Sequence, residues 1–413
     1  MVTVFGLGFV GLTTALGFAH LGYEVYGLDV DEERKKTLRN GKLPFMEPGM
    51  EEVLNKHLGN NFHITDDVDY AVANSEYIYY CVGTPYGKDG SADLTYLFGA
   101  IDETLASIND GKFRVLVTKS TIPPSTTAEE IEPYVRSKGY DVDHIGVANN
   151  PEFLREGHCW DDFTGADRIV LGCSDDRSRK MLSALYEPMN IPIKCVTQST
   201  GEFIKYLSNT LLATMISYSN EMAQVADTIG GIDVADAFRI LHMDKRWGGC
   251  NMTSYVYPGC GYGGYCLPKD TCALYSQSCA KGYEPLILKN VIDVNNNRAA
   301  DIAKIIIRGL DKDAAIGILG LSFKPDSDDV RDTAAARIIR ELTELGYNTI
   351  YAYDPEAMSE FKKRYPDIMI NFLDSARAVY DKCDVAAIVT AWEEFREVPS
   401  YGNKKIIDCR YML

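Results

Sequence analysis

A thiol, a lysine and a carboxylate fall close together at Cys266, Lys269 and Asp270. They end the stretch Gly-Cys-Gly-Tyr-Gly-Gly-Tyr-Cys-Leu-Pro-Lys-Asp, residues 259–270, whose four glycines suit neither a helix interior nor a strand. Glycine lets backbone approach a ligand and adopt positive φ, and Pro268 stiffens the chain just after the thiol. The composition therefore predicts a loop that presents Cys266 at a fixed place. A nearby cation such as Lys269 stabilises a thiolate, and Asp270 can hold that lysine or a water. Cys266 is thus a candidate covalent nucleophile, against the plainer alternative of a small, inert core cysteine. Cys260, Cys266 and Cys272 recur every six residues, but the chain has no Cys-x-x-Cys or His-x-x-x-His pair. Structural zinc sites use such short spacings, so no metal is predicted.

The elements that must position this chemistry begin at the first strand. Residues 2–5 read as a buried strand running into Gly6-Leu-Gly-Phe-Val-Gly11 and a helical pattern over 12–21. Strand, G-x-G-x-x-G and helix in that order form the dinucleotide fingerprint. Its turn (Gly6, Gly8, Phe9, Val10, Gly11) would hold a pyrophosphate at a helix N-terminus. A second strand over 24–28 ends at Asp29, eighteen residues past Gly11. A carboxylate there accepts an adenosine 2′-OH and repels a 2′-phosphate, which favours NAD over NADP. Further strands are predicted at 77–82, 114–118 and 144–148. Each ends at a polar cluster: Gly83-Thr84-Pro85, then Lys119-Ser-Thr-Ile-Pro123, then Asn150-Pro-Glu-Phe-Leu-Arg-Glu156. In doubly wound sheets ligands bind beyond the carboxyl ends of strands, so these clusters should line one cleft.

From 199 to 229 the apolar residues Ile204, Leu207, Leu211, Met215, Tyr218, Met222, Val225 and Ile229 are spaced by three and four. That is one amphipathic helix of about 45 Å, long enough to join two domains and to pair with a copy of itself. Lys205 and Asn209 share one of its faces, where such residues are ordinarily solvated. A final βαβ pattern follows: strands at 315–321, 348–353, 385–389 and 405–408, with a helix over 333–345. This half lacks G-x-G-x-x-G, so no second dinucleotide is expected. The predicted fold is α/β, with two Rossmann-like doubly wound domains joined by a long central helix. The predicted divisions are 1–198, 199–299 and 300–413.

The 413 residues are 46% hydrophobic, ample for these cores. A net charge of -17 argues against nucleic acid as a partner. Eleven cysteines without paired spacing fit a reducing compartment. With no basic leader before an apolar run, and no membrane-length apolar stretch, a cytoplasmic protein with no membrane partner is expected.

Gly-Tyr-Gly-Gly-Tyr-Cys-Leu-Pro-Lys-Asp resembles the catalytic-cysteine signature of the UDP-glucose/GDP-mannose dehydrogenase family, most closely its members that oxidise UDP-glucose. The other polar motifs resemble that family's in matching order, from Gly6 to Arg410. The resemblance implies that Thr84, Thr121, Lys269 and Arg331 contact NAD. It implies that Glu152, Phe153, Leu154, Arg155 and Glu156 contact substrate, with Glu156 near the nicotinamide. Lys205 and Asn209 match the family's Lys-x-x-x-Asn pair at the sugar C6 oxygen. Tyr255, Val256, Tyr257, Pro258, Gly259 and Gly263 would line the sugar nucleotide. Lys324 of Phe-Lys-Pro and Arg410 match substrate-binding basic residues, and Arg246 would reach a substrate in a partner subunit. Two departures stand out. Arg34 replaces the usual lysine after the ribose-binding aspartate, with different donor geometry, and Trp247-Gly248-Gly249 differs from the commonest pattern.

An NAD site with a poised thiol fits oxidation of an alcohol past the aldehyde to the acid. The thiolate adds to the aldehyde, the thiohemiacetal gives up a second hydride, and water hydrolyses the thioester, with two NAD consumed per turnover. Lys205 and Asn209 would stabilise the alkoxide, Lys205 also serving as a candidate proton acceptor. Glu156, helped by Thr121 and Asp270, would direct the hydrolytic water. By resemblance the substrate is a nucleotide sugar, UDP-glucose going to UDP-glucuronate, with GDP-mannose or a UDP-N-acetylhexosamine as alternatives. The partner is a second copy, forming a homodimer through the long helix. A two-electron dehydrogenase of the 6-phosphogluconate or 3-hydroxyacid type would have no use for Cys266. A non-catalytic NAD-binding scaffold would show no turnover.

Overall fold

The computed structural model describes residues 1–87, 90–244 and 255–413. They form two compact units, Met1–Leu207 and Ser208–Leu413.

The first unit is built on eight strands: β1 (Val2–Phe5), β2 (Val25–Leu28), β3 (Phe62–Ile64), β4 (Tyr77–Tyr80), β5 (Arg114–Thr118), β6 (Ile145–Asn149), β7 (Ile169–Cys173) and β8 (Ile193–Val196). Their order across the sheet is β3-β2-β1-β4-β5-β6-β7-β8. The first six run parallel, with the doubly wound reversal beside β1. β7 then pairs antiparallel with β6, and β8 parallel with β7. β1, β2, β5, β6 and β7 are buried along their whole length, as sheets covered on both faces require. Alternate residues supply two cores. Val4, Tyr79, Val115 and Val117 join Leu12, Leu16 and Phe18 of the fingerprint helix on one side. Phe5, Ile78, Tyr80 and Leu116 join Ala71, Ile101 and Ile131 on the other.

The second unit has five parallel strands, β9 (Ile316–Leu319), β10 (Ile350–Tyr353), β11 (Asn371–Phe372), β12 (Val385–Ile388) and β13 (Lys405–Asp408). They are ordered β11-β10-β9-β12-β13. Ile316, Ile318, Val385 and Ala387 face one core, and Leu319, Ala386 and Ile388 the other. The chain is therefore α/β with two Rossmann-like sheets, as its patterning predicts.

The long helix spans Gln198–Ile229, 32 residues, or about 48 Å. Its apolar stripe does not turn to the protein interior. Phe203, Leu207, Leu211, Tyr218, Val225 and Ile229 are exposed, whereas Glu202, Lys205, Asn209, Ser217 and Asn220 are buried. Tyr206, Ala213, Ala223 and Ala226 share the buried face, and Ile204, Met215 and Met222 of the stripe are half-buried. No helix among the described residues is long and apolar enough to cross a membrane.

One expectation is corrected. Residues 259–264 are irregular, but Cys266–Ala280 is helical, so Cys266 and Lys269 stand on its first turn and Asp270 just beyond it, rather than in a loop. Pro268 is compatible with this, because the first amides of a helix have no partner within it.

Candidate active site

In the first unit the glycine turn has the stereochemistry a dinucleotide needs. Gly6 has φ +87°, and a Cβ at Gly11 would lie 1.7 Å from the Gly6 carbonyl oxygen. At Gly8, where the helix Phe9–His20 is capped, a Cβ would meet nothing within 4 Å. The turn is closed at Gly6 and Gly11 and open at Gly8, beside unpaired first-turn amides suited to phosphate. Phe9 stacks on Phe45 with centroids 4.0 Å apart, and the Val10 carbonyl accepts from Thr14 Oγ1. Asp29 accepts the Leu7 amide at 2.6 Å and the Asp31 amide at 2.9 Å. Arg34 Nη1 reaches both its oxygens, at 3.1 and 2.9 Å. The arginine thus holds the carboxylate that the sequence reading assigns to ribose.

Beyond the strands, Thr84 Oγ1 donates to the Thr121 carbonyl at 2.8 Å, joining two predicted cofactor residues. Lys205 is buried and ion-paired to Glu152 Oε1 at 2.8 Å, while Glu152 Oε2 accepts the Leu154 amide at 2.6 Å. Burial pushes the Glu152 carboxyl up, but Lys205, the Leu154 amide and Lys119 together outweigh it and hold it below its usual value. Phe153 has the Arg168 guanidinium 4.3 Å and Lys205 Nζ 5.7 Å from its ring centre. Arg155 is exposed and forks onto Asp162, and Glu156 is half-buried at the end of the same turn.

The second unit carries the thiol. Cys266 is exposed at its helix N-terminus, where the backbone dipole favours negative charge. Behind it Lys269 and Asp270 are buried and paired at 2.7 Å, and Asp270 Oδ2 accepts from Asn209 Nδ2 at 2.6 Å. Burial lowers the Lys269 pKa, but the charges of Asp270 and Cys266 prevail and raise it. Tyr265 has Lys269 and Arg331 against its ring, at 5.6 and 4.8 Å from the centre. Arg331 forks onto Asp329, and its carbonyl accepts the Gly264 amide.

The predicted sugar-nucleotide segment is held from several directions. Val256 and Pro258 are buried and Tyr255 half-buried. Tyr257 OH donates to the Tyr411 carbonyl at 3.2 Å. A Cβ on Gly259 would come within 2.9 Å of Arg410 Nη1, and one on Gly263 within 2.3 Å of the Asp332 carbonyl oxygen. At Gly263 the neighbour is backbone, so that glycine is needed for the close approach, whereas the Arg410 side chain beside Gly259 can give way. Lys324 Nζ lies 5.6 Å from the Phe323 ring centre. Arg246 lies outside the described residues.

Several residues that shape these sites belong to no motif in the sequence. The Glu47 carboxylate accepts the amides of Gly157 and Cys159, anchoring the 152–156 turn from afar. Asn220 and Arg298 grip the Gly259 amide and carbonyl, and Asn295 binds both backbone groups of Tyr262. Lys119, in a cluster the sequence did single out, donates to Asn150 at 2.9 Å. Burial, offset by Cys81 and Glu152, pushes its pKa down to about 8. No local spacing announces such long-range partners.

Three comparisons bear on this geometry. The NAD binding, central and UDP binding domains of the UDP-glucose/GDP-mannose dehydrogenase family match residues 1–190, 199–297 and 317–413. The chain is 35% identical to UDP-glucose 6-dehydrogenase AglM of Haloferax volcanii, over 99% of this chain and 96% of that one. Its fold matches that of a UDP-glucose dehydrogenase from Pyrobaculum islandicum with TM-score 0.91 and 36% identity, covering 99% and 94% of the two chains. It also matches a UDP-D-ManNAc dehydrogenase from Pyrococcus horikoshii with TM-score 0.87 and 26% identity, covering 100% and 96%. With an open-faced glycine turn for NAD in one unit and a thiol at a helix N-terminus in the other, the chain belongs to the UDP-glucose/GDP-mannose dehydrogenase family and is an NAD-dependent oxidoreductase.

Proposed function

We propose that this enzyme oxidises the C6 alcohol of UDP-glucose to the carboxylate of UDP-glucuronate. Two NAD, bound in turn, each accept one hydride. The observation that carries this reading is the line Cys266, Lys269, Asp270 and Asn209: an exposed sulfur at a helix N-terminus backed by a buried, charge-assisted network. A two-electron alcohol dehydrogenase has no use for such a thiol.

Lys205 and Asn209 stabilise the charge that develops on the C6 oxygen, with Lys205 the candidate acceptor of the alcohol proton. Cys266 then adds to the aldehyde carbon, giving a thiohemiacetal. Loss of the second hydride and a proton leaves a thioester on Cys266. Water, directed by Glu156 with help from Thr121, hydrolyses it to the acid and the free thiol. Asp270 orients Lys269 and Asn209 through its two oxygens, each of which keeps a further lone pair with which to help hold the water. Asp29, which Arg34 holds, would accept the ribose hydroxyls of NAD. Arg410, Lys324 and the segment 255–259 hold the nucleotide. The exposed stripe of Leu207, Leu211, Tyr218 and Val225 supports a homodimer through the long helix, with Arg246 reaching a partner's substrate.

The likeness to a UDP-D-ManNAc dehydrogenase keeps a UDP-N-acetylhexosamine as the second reading, with GDP-mannose behind it. NADH release measured across UDP- and GDP-sugars separates them. The expected result is preference for UDP-glucose with two NADH per acid formed, and one NADH per substrate would refute the four-electron scheme.

A further inference from the structure

Glu202 lies one helical turn before Lys205 on the long helix, is buried, and has no part in the chemistry above. Its carboxylate is the end-point of three donors from a segment some 75 residues away in sequence. Oε2 accepts the Ser125 amide at 2.6 Å, and Oε1 accepts the Thr127 amide at 2.8 Å and the Thr127 hydroxyl. Ser125 is held at φ 76°, a left-handed conformation that a non-glycine residue keeps only when its surroundings enforce it. Asn149, at the end of β6, reinforces the clasp by donating to the Gln198 carbonyl at 2.8 Å and approaching Thr127 Oγ1 at 3.4 Å. Thr121, Asn149, Glu202 and Lys205 share the wall of one small cavity.

We infer that Glu202 is a positioning residue whose ionised carboxylate clamps the segment bearing Thr121 to the helix bearing Lys205. The inference rests on the roles given to Thr121 and Lys205 above. Three donors converge on two oxygens, so the clamp needs a carboxylate with no proton of its own. Protonation would turn an O–H toward a backbone N–H and release one end of the clamp.

The surroundings bring that event into the neutral range. Burial raises the Glu202 pKa most, and Glu130 on the turn Thr127–Ile131 adds repulsion. The Thr127 hydroxyl and the two amides oppose this, leaving a pKa of about 7. Of the other charges nearby, Lys205 on the same helix is paired to Glu152, and Glu132 on the next turn is bound to Arg136 and Gln198. The raised pKa means that the clamp is closed above about pH 7 and opens as pH falls through it.

The test is hydrogen exchange of peptides covering 120–127 at pH 6 and pH 8, corrected for intrinsic exchange, together with pH profiles of turnover. The unaltered protein should lose protection in this segment at pH 6, and Glu202→Gln should show the open level at both values. In kinetics, kcat of Glu202→Gln should fall about tenfold, within the hundredfold that a misplacement of about 1 Å can cost. KM for NAD should hold, and the acid limb near pH 7 should vanish. Should Glu202→Gln fold poorly, Thr127→Val keeps the carboxylate and removes one donor, and it should move the acid limb to higher pH. Equal protection at both pH values, or an acid limb indifferent to both substitutions, would overturn the clamp. Absence of turnover on any nucleotide sugar would refute the proposed function instead, while the exchange data would still decide on Glu202.

Discussion

Asp29 and Asp354 perform the same turn-closing task in the two Rossmann-like units, and they diverge in what each has left over. Each follows the second strand of its sheet, β2 or β10. Each accepts the amide that comes just after a left-handed glycine: Leu7 after Gly6 at 2.6 Å, Leu321 after Gly320 at 2.7 Å. In the first unit the helix starts at once, at Phe9, and the other partners of Asp29 are the Asp31 amide and the half-exposed Arg34. In the second unit the helix waits until Ala334. Asp354 meanwhile takes the Ser322 amide and hydroxyl, Trp392 Nε1, and the amides of Glu356 and Ala357, with no exposure at all. A shared backbone device therefore sits in different surroundings: a half-exposed guanidinium at Asp29, and a full set of internal donors at Asp354.

The strongest way to sharpen this contrast is to disable one unit's chemistry and read the other. Cys266→Ala should cut acid formation by about 10⁴ or more, the scale of losing a nucleophile, while NAD binding stays intact. Glu156→Gln should instead let an adduct accumulate, seen as a mass increase confined to the peptide bearing Cys266. Normal acid production by Cys266→Ala would make that thiol structural. Next in size, Lys205→Ala should lower kcat by around 10² or more with nucleotide-sugar binding nearly unchanged, and near-normal kcat would reduce it to a packing residue.

The aspartates themselves give the third test. Asp354→Ala strands several buried donors and should destabilise the protein by about 3 kcal/mol, lowering Tm without altering the choice between NAD and NADP. Asp29→Ala should erode that choice. If the effects were exchanged, the comparison would fail. The smallest effect concerns Lys119, whose folded pKa of about 8 lies below that of an unfolded lysine. Between pH 8 and the ordinary lysine range the unfolded chain binds the extra proton, so stability rises with pH there. Urea titrations should show a shallow slope that Lys119→Met abolishes, and a slope that survives the substitution would reassign it.

How far these sites could be read from sequence depends on the range of the interaction. Strands β5 and β13 fall at their predicted bounds because continuous apolar runs between polar turns leave little choice. The fingerprint was legible for the same reason: Gly6, Gly8 and Gly11 answer to constraints within one turn. The cysteine segment shows its composition in the sequence but not its conformation, since its four glycines suggest a loop for the whole stretch although all of them precede the helix that begins at Cys266. Glu47, Glu202 and Asn295 were illegible. Each is a single polar residue whose partners lie tens of residues away, and nothing local distinguishes it from a solvated side chain. The apolar stripe of the long helix was found by its period, but period alone does not say which way a face points.

That helix also sets a limit on how the chain can vary. Lys205 and Asn209 are four positions apart in unbroken α-helix, so their spacing of about 6 Å and their shared face follow from backbone geometry alone. A single inserted or deleted residue between them would turn everything downstream by about 100° and part the two from their common face. Lengthening is open to the surface connections, whereas between residues 205 and 209 the number of residues is fixed.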